Sequence, residues 1–506
     1  MLTTDPKYPE FGVDSARRLD NLREVVARAG RHGIKVILYF NEPRAQPAEF
    51  YSRPGRETQR GSVVTGWKSG FCRCVSDPET LRWLRDSMSQ LFRNVPGLGG
   101  VMTITMSESH THCGSHLWNP DDIDCPRCKG RSVPEMVVAV NRAIRDGVKS
   151  VAPDATVCFY DTAWEMLKNP LDSVVPFLPK DGRLISWSEK FLPFKQGGLD
   201  LAVNEYSISH PGLGPSGTRY WAAAKKAGLK ADAKLQVNTC WEICAVPYLP
   251  AMDLVAEHAY NLSTSVVDGV MLSWSLGGYP GPNLALFSRF RRGANDSGAI
   301  LDGLASDLYG TEARDAVRAA WRAYSEAYRN YPMQWQTVYY SPVQMGPANL
   351  LYAEKTGWAA TMVNTPYDAI DQWTDGYAKN RAVWVEQMGR TADGFDAADR
   401  FWAEAVRAMS GRRRAVGERD AGVFRAATLH FRTSHDQAEF ILARDRGDRA
   451  AMRKLAKREL ATAKEMLRLV RADSRLGYEA SNRYIYVPND FLEKILNCYG
   501  IEKGMQ

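Results

Sequence analysis

The feature that most constrains this chain is an order of events repeated between residues 15 and 290: amphipathic helix, short apolar strand, polar group. "SARRLDNLREVVARAGRHG" (15 to 33) spaces its apolar residues at the helical period and stops at Gly33. "IKVILYF" then runs unbroken from Ile34 to Phe40, as strands covered on both faces of a parallel sheet do, and Asn41-Glu42-Pro43-Arg44 closes it. A helix over 78–92 leads to "GGVMTITM" and Ser107-Glu108, and a helix over 134–151 leads to "ATVCFYD", ending at Asp161. "RLISWSE" ends at Glu189 and "LAVNEYS" carries Glu205. Helices over 218–227 and 252–263 precede "AKLQVNTCWE", ending at Glu242, and "VDGVMLSWSLGGYPGP".

Helix and strand in alternation predict an α/β fold with a parallel sheet. Polar or aromatic residues at the C-terminal end of every strand fit a (β/α)8 barrel better than a doubly wound sheet. The nucleotide-binding alternative lacks its phosphate cradle, since no Gly-x-Gly-x-x-Gly follows the first strand and no Walker-type loop occurs. The chain opens in what reads as a strand-to-helix loop. The expected fold is therefore a TIM-type barrel over residues 1–295 that lacks its first one or two strands. After that point strand signals vanish. Long amphipathic runs such as "ARDAVRAAWRAYSEAYRNY" and "AAMRKLAKRELATAKEMLRLVRAD" predict an all-α C-terminal domain over 296–506.

At 506 residues the chain has room for two such domains, and 44% hydrophobic with 24% charged residues is ordinary for a globular protein. A net charge of +7 is small at this length, the basic runs fall in helical sequence, and no nucleic-acid module is visible. No apolar stretch approaches the roughly 18 residues of a membrane span. The opening "MLTTDPKYPEFG" has no basic region followed by an apolar one, so cytoplasm is the default location unless the start is incomplete.

A barrel gathers its chemistry at the C-terminal ends of its strands. Here those ends offer Glu42, Arg44, Glu108, Asp161, Glu189, Glu205 and Glu242, with Trp164, Trp187, Tyr206, Trp241 and Trp274 beside them. Carboxylates among aromatic rings suit glycoside cleavage. One acid protonates the leaving oxygen, a second carboxylate handles the oxocarbenium side, and ring faces stack on sugar C–H surfaces. His110 is placed to contact a sugar hydroxyl or to adjust the neighbouring glutamate.

Downstream of Glu108 the chain turns cysteine-rich. Cys125-Pro-Arg-Cys128 has the spacing at which two thiolates grip one tetrahedral zinc. Cys113 supplies a third ligand, and His112 or His116 a fourth, with Cys72 or Cys74 as alternatives. Nine cysteines, odd in number and locally clustered, fit reduced thiols and one structural zinc; no organic cofactor is expected.

"RLDNLREVVARAGRHGIKVILYFNEP" and "GLGGVMTITMSES" resemble the third and fourth strand units of family 20 β-N-acetylhexosaminidases, and "NEYSISHPGLGPSG" and "SWSLGGYPGP" are similar in style to later loops of sugar-cleaving barrels. The resemblance spans roughly residues 10 to 290. It implies a glycosidase with Glu108 as general acid. The family carries an Asp just before that Glu, to orient the substrate's acetamido group; this chain has Ser107. That departure favours a two-carboxylate scheme, with Glu242 as nucleophile or base and Glu205 in reserve. The expected activity is removal of a terminal sugar, an N-acetylhexosamine by resemblance, with carbohydrate as partner. The alternatives are a non-catalytic sugar-binding barrel and a zinc hydrolase using His110-x-His112.

Overall fold

The computed structural model describes residues 2–64, 70–107, 109–117, 119–274, 276–293, 295–357, 368–479 and 483–504. Its main sheet has six strands: β1 (Ile37–Phe40), β2 (Gly100–Ile104), β3 (Thr156–Tyr160), β4 (Arg183–Trp187), β5 (Lys230–Lys234) and β6 (Gly269–Met271). Their order across the sheet is their order along the chain. β1 pairs with β2, β2 with β3 and β3 with β4, all parallel, with Ile37 opposite Gly100 and Gly100 opposite Thr156. A doubly wound sheet reverses its strand order at a switch point, whereas this one never does, so it is a half-barrel of the TIM type.

Helices α1 (Ser15–Gly30), α2 (Pro78–Asn94), α3 (Val133–Lys149), α4 (Pro215–Lys226) and α5 (Met252–Ser263) alternate with the strands. The Asp77 carboxylate caps α2 by accepting from the Glu79 amide at 2.9 Å, and Pro78 occupies the first turn, where its missing N–H costs nothing. α3 buries Met136, Val137, Val140, Ile144 and Val148, one stripe at helical spacing. Gly147 permits the close approach of α3 to α2, since a Cβ there would run into the Arg85 carbonyl.

Three expectations are corrected. β1 starts at Ile37, and its Ile37 and Tyr39 are 46% and 43% exposed, because a strand at the end of the sheet order is paired along one side only. In "LAVNEYS" the strand is Leu199–Ala202, paired antiparallel with Pro193–Gln196 outside the main sheet, so Glu205 lies beyond it. The strand expected to reach Glu242 is instead the preceding "KADAK", 230–234.

The C-terminal region is helical: α6 (Ser297–Tyr309), α7 (Arg314–Tyr328), α8 (Arg381–Ala408), α9 (Gly411–Asp445), α10 (Arg449–Ala472) and α11 (Pro488–Gly504). Asp296, Asn380 and Asp448 cap α6, α8 and α10 through their side chains. Among the described residues no helix is long and apolar enough to cross a membrane. One compact unit holds 1–187, 218–233 and 266–269; the other holds 188–217, 234–265 and 270–506. The segments that follow β4 and β5 belong with the C-terminal helices because their polar groups bond there, as the Tyr328 and Tyr339 hydroxyls do with Glu242 and Glu205.

Candidate active site

In the second unit, residues 205–209 form a short stretch whose successive amides serve three carboxylates. The Tyr206 N–H donates to Glu205 at 2.7 Å, the Ser207 N–H to Glu189 at 3.0 Å, and the Ile208 and Ser209 N–H groups to Glu242 at 2.8 and 3.3 Å. Charge-assisted bonds of this kind hold ionised acids firmly in place. The three glutamates nevertheless differ in what else surrounds them.

Glu242 is fully buried. Besides the two amides, its oxygens accept from the Ser207 and Tyr328 hydroxyls, both at 2.8 Å, from the Cys240 thiol at 3.0 Å and from the Ser209 hydroxyl. A carboxylate with its lone pairs so occupied is a hub that ties the 205–209 stretch to α7. Sequence alone could not reveal this, because Tyr328 lies far along the chain.

Glu205 is half-buried and more lightly held. Apart from the Tyr206 amide it accepts the Tyr339 hydroxyl at 3.0 Å. Burial holds its carboxyl above the usual carboxylate range, against the opposing pull of those two donors and of Lys234. Rings surround it. Tyr339 lies 5.8 Å from the Trp241 ring and 5.7 Å from that of Trp335, which is partly exposed. Trp274, also half-buried, donates its backbone N–H to the Gln236 side chain at 3.1 Å.

Lys234, the last residue of β5, was not among the expected site residues. It is fully buried, its Nζ lies 3.2 Å from the centre of the Tyr206 ring, and no described residue accepts a hydrogen bond from it. Burial pulls its ammonium down to about 7, against Glu189, Glu205 and Cys240, which favour the charge. The cue in the sequence was a lysine closing a strand whose alternate positions are alanine.

The first unit holds the remaining candidates. Glu108 lies outside the described residues. Glu42 and Arg44 are brought together, with the Arg44 amide donating to Glu42 at 2.7 Å and the two charges 3.6 Å apart, while burial raises the Glu42 carboxyl. Asp161 is buried just after β3, and Trp187 closes β4 half-buried. His110 stacks on His116 with ring centres 4.3 Å apart, and burial pulls the His110 imidazole down to about 4. His116 holds a left-handed backbone, φ 60°, a strained conformation for a residue with a side chain.

The cysteines converge. The sulfurs of Cys74, Cys113, Cys125 and Cys128, all buried, lie within 4.8 Å of one another and can hold a metal ion. Cys74 takes the place expected for His112. The His112 ring is fully buried and its Nδ1 accepts the Gly114 amide at 3.2 Å, which turns it to the local backbone.

No family model matches this chain, and no curated protein matches it. Solved structures do. A GH138 enzyme targeting pectin rhamnogalacturonan II matches with a TM-score of 0.56 at 11% identity, over 99% of this chain and 60% of that one. A family 89 glycoside hydrolase from Clostridium perfringens, bound to GlcNAc-α-1,4-galactose, matches with a TM-score of 0.49 at 9% identity, over 96% and 48% of the two chains. A GH20 exo-β-N-acetylglucosaminidase from Vibrio harveyi has a TM-score of 0.28 at 11% identity, over 45% of this chain and 30% of that one. This chain thus spans about 60% of the GH138 enzyme's length. The first likeness shows a shared fold, and family 20 is not singled out.

Proposed function

We propose that this chain is a glycoside hydrolase that removes a terminal sugar by carboxylate general acid–base chemistry. One observation carries the reading: Glu205 is half-buried, holds its proton above the usual range, and bonds Tyr339, whose ring packs against Trp241 and Trp335. Such a carboxyl keeps its proton to higher pH than an exposed one, and such rings offer faces to a sugar. The shared fold supports it. Glu108 is the general acid that protonates the leaving oxygen. Glu205 takes the role first expected of Glu242, as the second carboxylate: nucleophile in a retaining scheme, or base to a water in an inverting one. Ser107 offers no charge to orient an acetamido group, which is why the second carboxylate is required. Glu42, Arg44, His110, Asp161, Trp187, Tyr206 and Trp274 are assigned to sugar contact. Zinc, closed in by four thiols, has no step in this scheme.

The test is a panel of nitrophenyl glycosides, N-acetylhexosaminides first, together with pectic oligosaccharides such as the GH138 neighbour targets. Turnover that falls on the order of 10²–10⁴-fold in both Glu108→Gln and Glu205→Gln supports the assignment. Binding without turnover on any member identifies a sugar-binding module. Turnover that stops on chelation, with the fold intact, identifies a zinc hydrolase.

A further inference from the structure

Among the described residues between the end of β2 at Ile104 and the start of α3 at Val133, the chain makes one turn of 3-10 helix, Pro120–Asp122. Connections this long with so little secondary structure are uncommon in compact domains. Its first part, 105–115, is mostly buried, but its second part builds no core. Among the described residues from His116 to Ser132, Ile123, Cys125 and Cys128 alone are buried. Something else must define its path.

The geometry of the thiols supplies it. The Cys74 sulfur lies 3.6 Å from that of Cys128 and 3.7 Å from that of Cys125. Disulfide sulfurs bond at about 2.05 Å, and none of the nine cysteines is in a disulfide. In a tetrahedron with Zn–S bonds of about 2.3 Å, neighbouring sulfurs stand about 3.8 Å apart. The observed edges are close to that value before any ion draws them in. The surroundings match a thiolate site as well. The Ser62 N–H points at the Cys113 sulfur at 3.4 Å and the Ser76 hydroxyl meets the Cys128 sulfur at 3.1 Å, the outer bonds that spread the charge of bound thiolates. Arg131 in turn donates to Ser76 at 2.7 Å. The Cys125 amide bonds Ser62, and the Cys128 and Lys129 amides fold back on the Cys125 carbonyl at 3.0 and 2.8 Å, the tight turn of a metal knuckle.

We infer that Cys74, Cys113, Cys125 and Cys128 bind one tetrahedral zinc ion, and that this ion takes the place of a hydrophobic core in fixing the 116–132 part of the connection. Cys74 follows the strand Gly70–Arg73 of a small antiparallel sheet, while the other three ligands belong to the connection. The ion therefore fastens a loop that begins beside Glu108 to a separate piece of sheet. All four positions are taken by sulfur, so no site is left for water or substrate. The inference needs no assumption about the reaction; it deepens the structural role given to zinc in the glycosidase reading.

Metal analysis of the purified full chain is expected to return one zinc per molecule. Cobalt(II) exchanged into the protein should give the intense visible bands and thiolate charge transfer of an all-sulfur tetrahedral site. Cys74→Ser and Cys125→Ser are expected to lower metal content, whereas His112→Ala and Cys72→Ser keep one equivalent. Stripping the metal from the wild-type chain with a thiol-reactive mercurial and a chelator should open protease cleavage between 117 and 132 and leave the C-terminal helices uncut, which tests the inference even if the cysteine variants fail to fold. A folded protein free of metal, or iron in place of zinc, would overturn the site. Zinc loss in His112→Ala would overturn the ligand set. Unchanged cleavage after metal removal would overturn the role of the ion. None of these outcomes depends on finding a sugar substrate, so they are separable from a failure of the glycosidase reading.

Discussion

Lys234 and Glu205 set the terms at the scale of single residues. Their charges oppose the effect of burial on each other: the lysine draws the Glu205 carboxyl down while desolvation raises it, and the glutamate favours an ammonium that desolvation disfavours. If Glu205 works as an anion, its raised pKa places the acid limb of kcat/KM above the ordinary glutamate value of about 4.3. Lys234→Met removes the cation, so that limb is expected to move to still higher pH in a pH–rate profile. The same variant removes an ammonium that lacks a hydrogen-bond acceptor among the described residues, so its Tm at pH 7 should equal or exceed that of the wild type. A lowered Tm with an unmoved limb would mean that Lys234 serves packing alone. Glu242 bears on what a sequence can convey. Its type and its place near a strand end suited a nucleophile, while the Tyr328 hydroxyl that its Oε2 accepts comes from a helix whose approach no local pattern encodes.

Among the elements, the pairing of α10 with α11 combines an apolar cluster, Leu455, Ala456 and Cys498 among it, with a buried ion pair. Lys494 and Glu459 are both fully buried, 2.8 Å apart, and the Thr433 hydroxyl of α9 lies within 2.8 Å of both Glu459 oxygens. The Lys494 ammonium also bonds the Asn349 carbonyl. Breaking such a pair strands a charge in the interior, at a typical cost of about 3–5 kcal/mol. Lys494→Met should therefore lower stability by about that much in urea unfolding, and Lys494→Met with Glu459→Leu should restore most of it. Recovery in the double variant would separate a charge effect from lost packing. The long helices around this pair were legible from their periodicity, and β2 to β4 from their unbroken apolar runs. β5 was not. "KADAK" reads as exposed, yet its Asp232 is neutralised by Arg183 and its Lys234 lies buried, so tertiary pairing overrides the local pattern.

For the molecule as a whole, acid is expected to be destabilising through histidines folded away as neutral rings. Burial pulls His258 down to about 3 and His430 to about 4; His258 meets the Ser188 hydroxyl at 2.6 Å and His430 the Val343 carbonyl at 2.7 Å. Their folded pKa values lie below the unfolded value of about 6.5, so the stability they contribute is complete above that pH and is lost as pH falls toward 4 and then 3. Each should cost about 1.4 kcal/mol per pH unit within its window. Thermal unfolding from pH 7 to 4 should show this decline, and His258→Phe should flatten it. The main sheet bears on behaviour in solution in another way. β1 stands at the end of the sheet order with its Ile37 and Tyr39 side chains exposed, an arrangement prone to recruiting further strands. Ile37→Lys should raise the concentration at which light scattering first increases. Solubility would then be governed by a few residues along that rim, and handling the protein in the laboratory would hinge on whatever neighbour the rim is given.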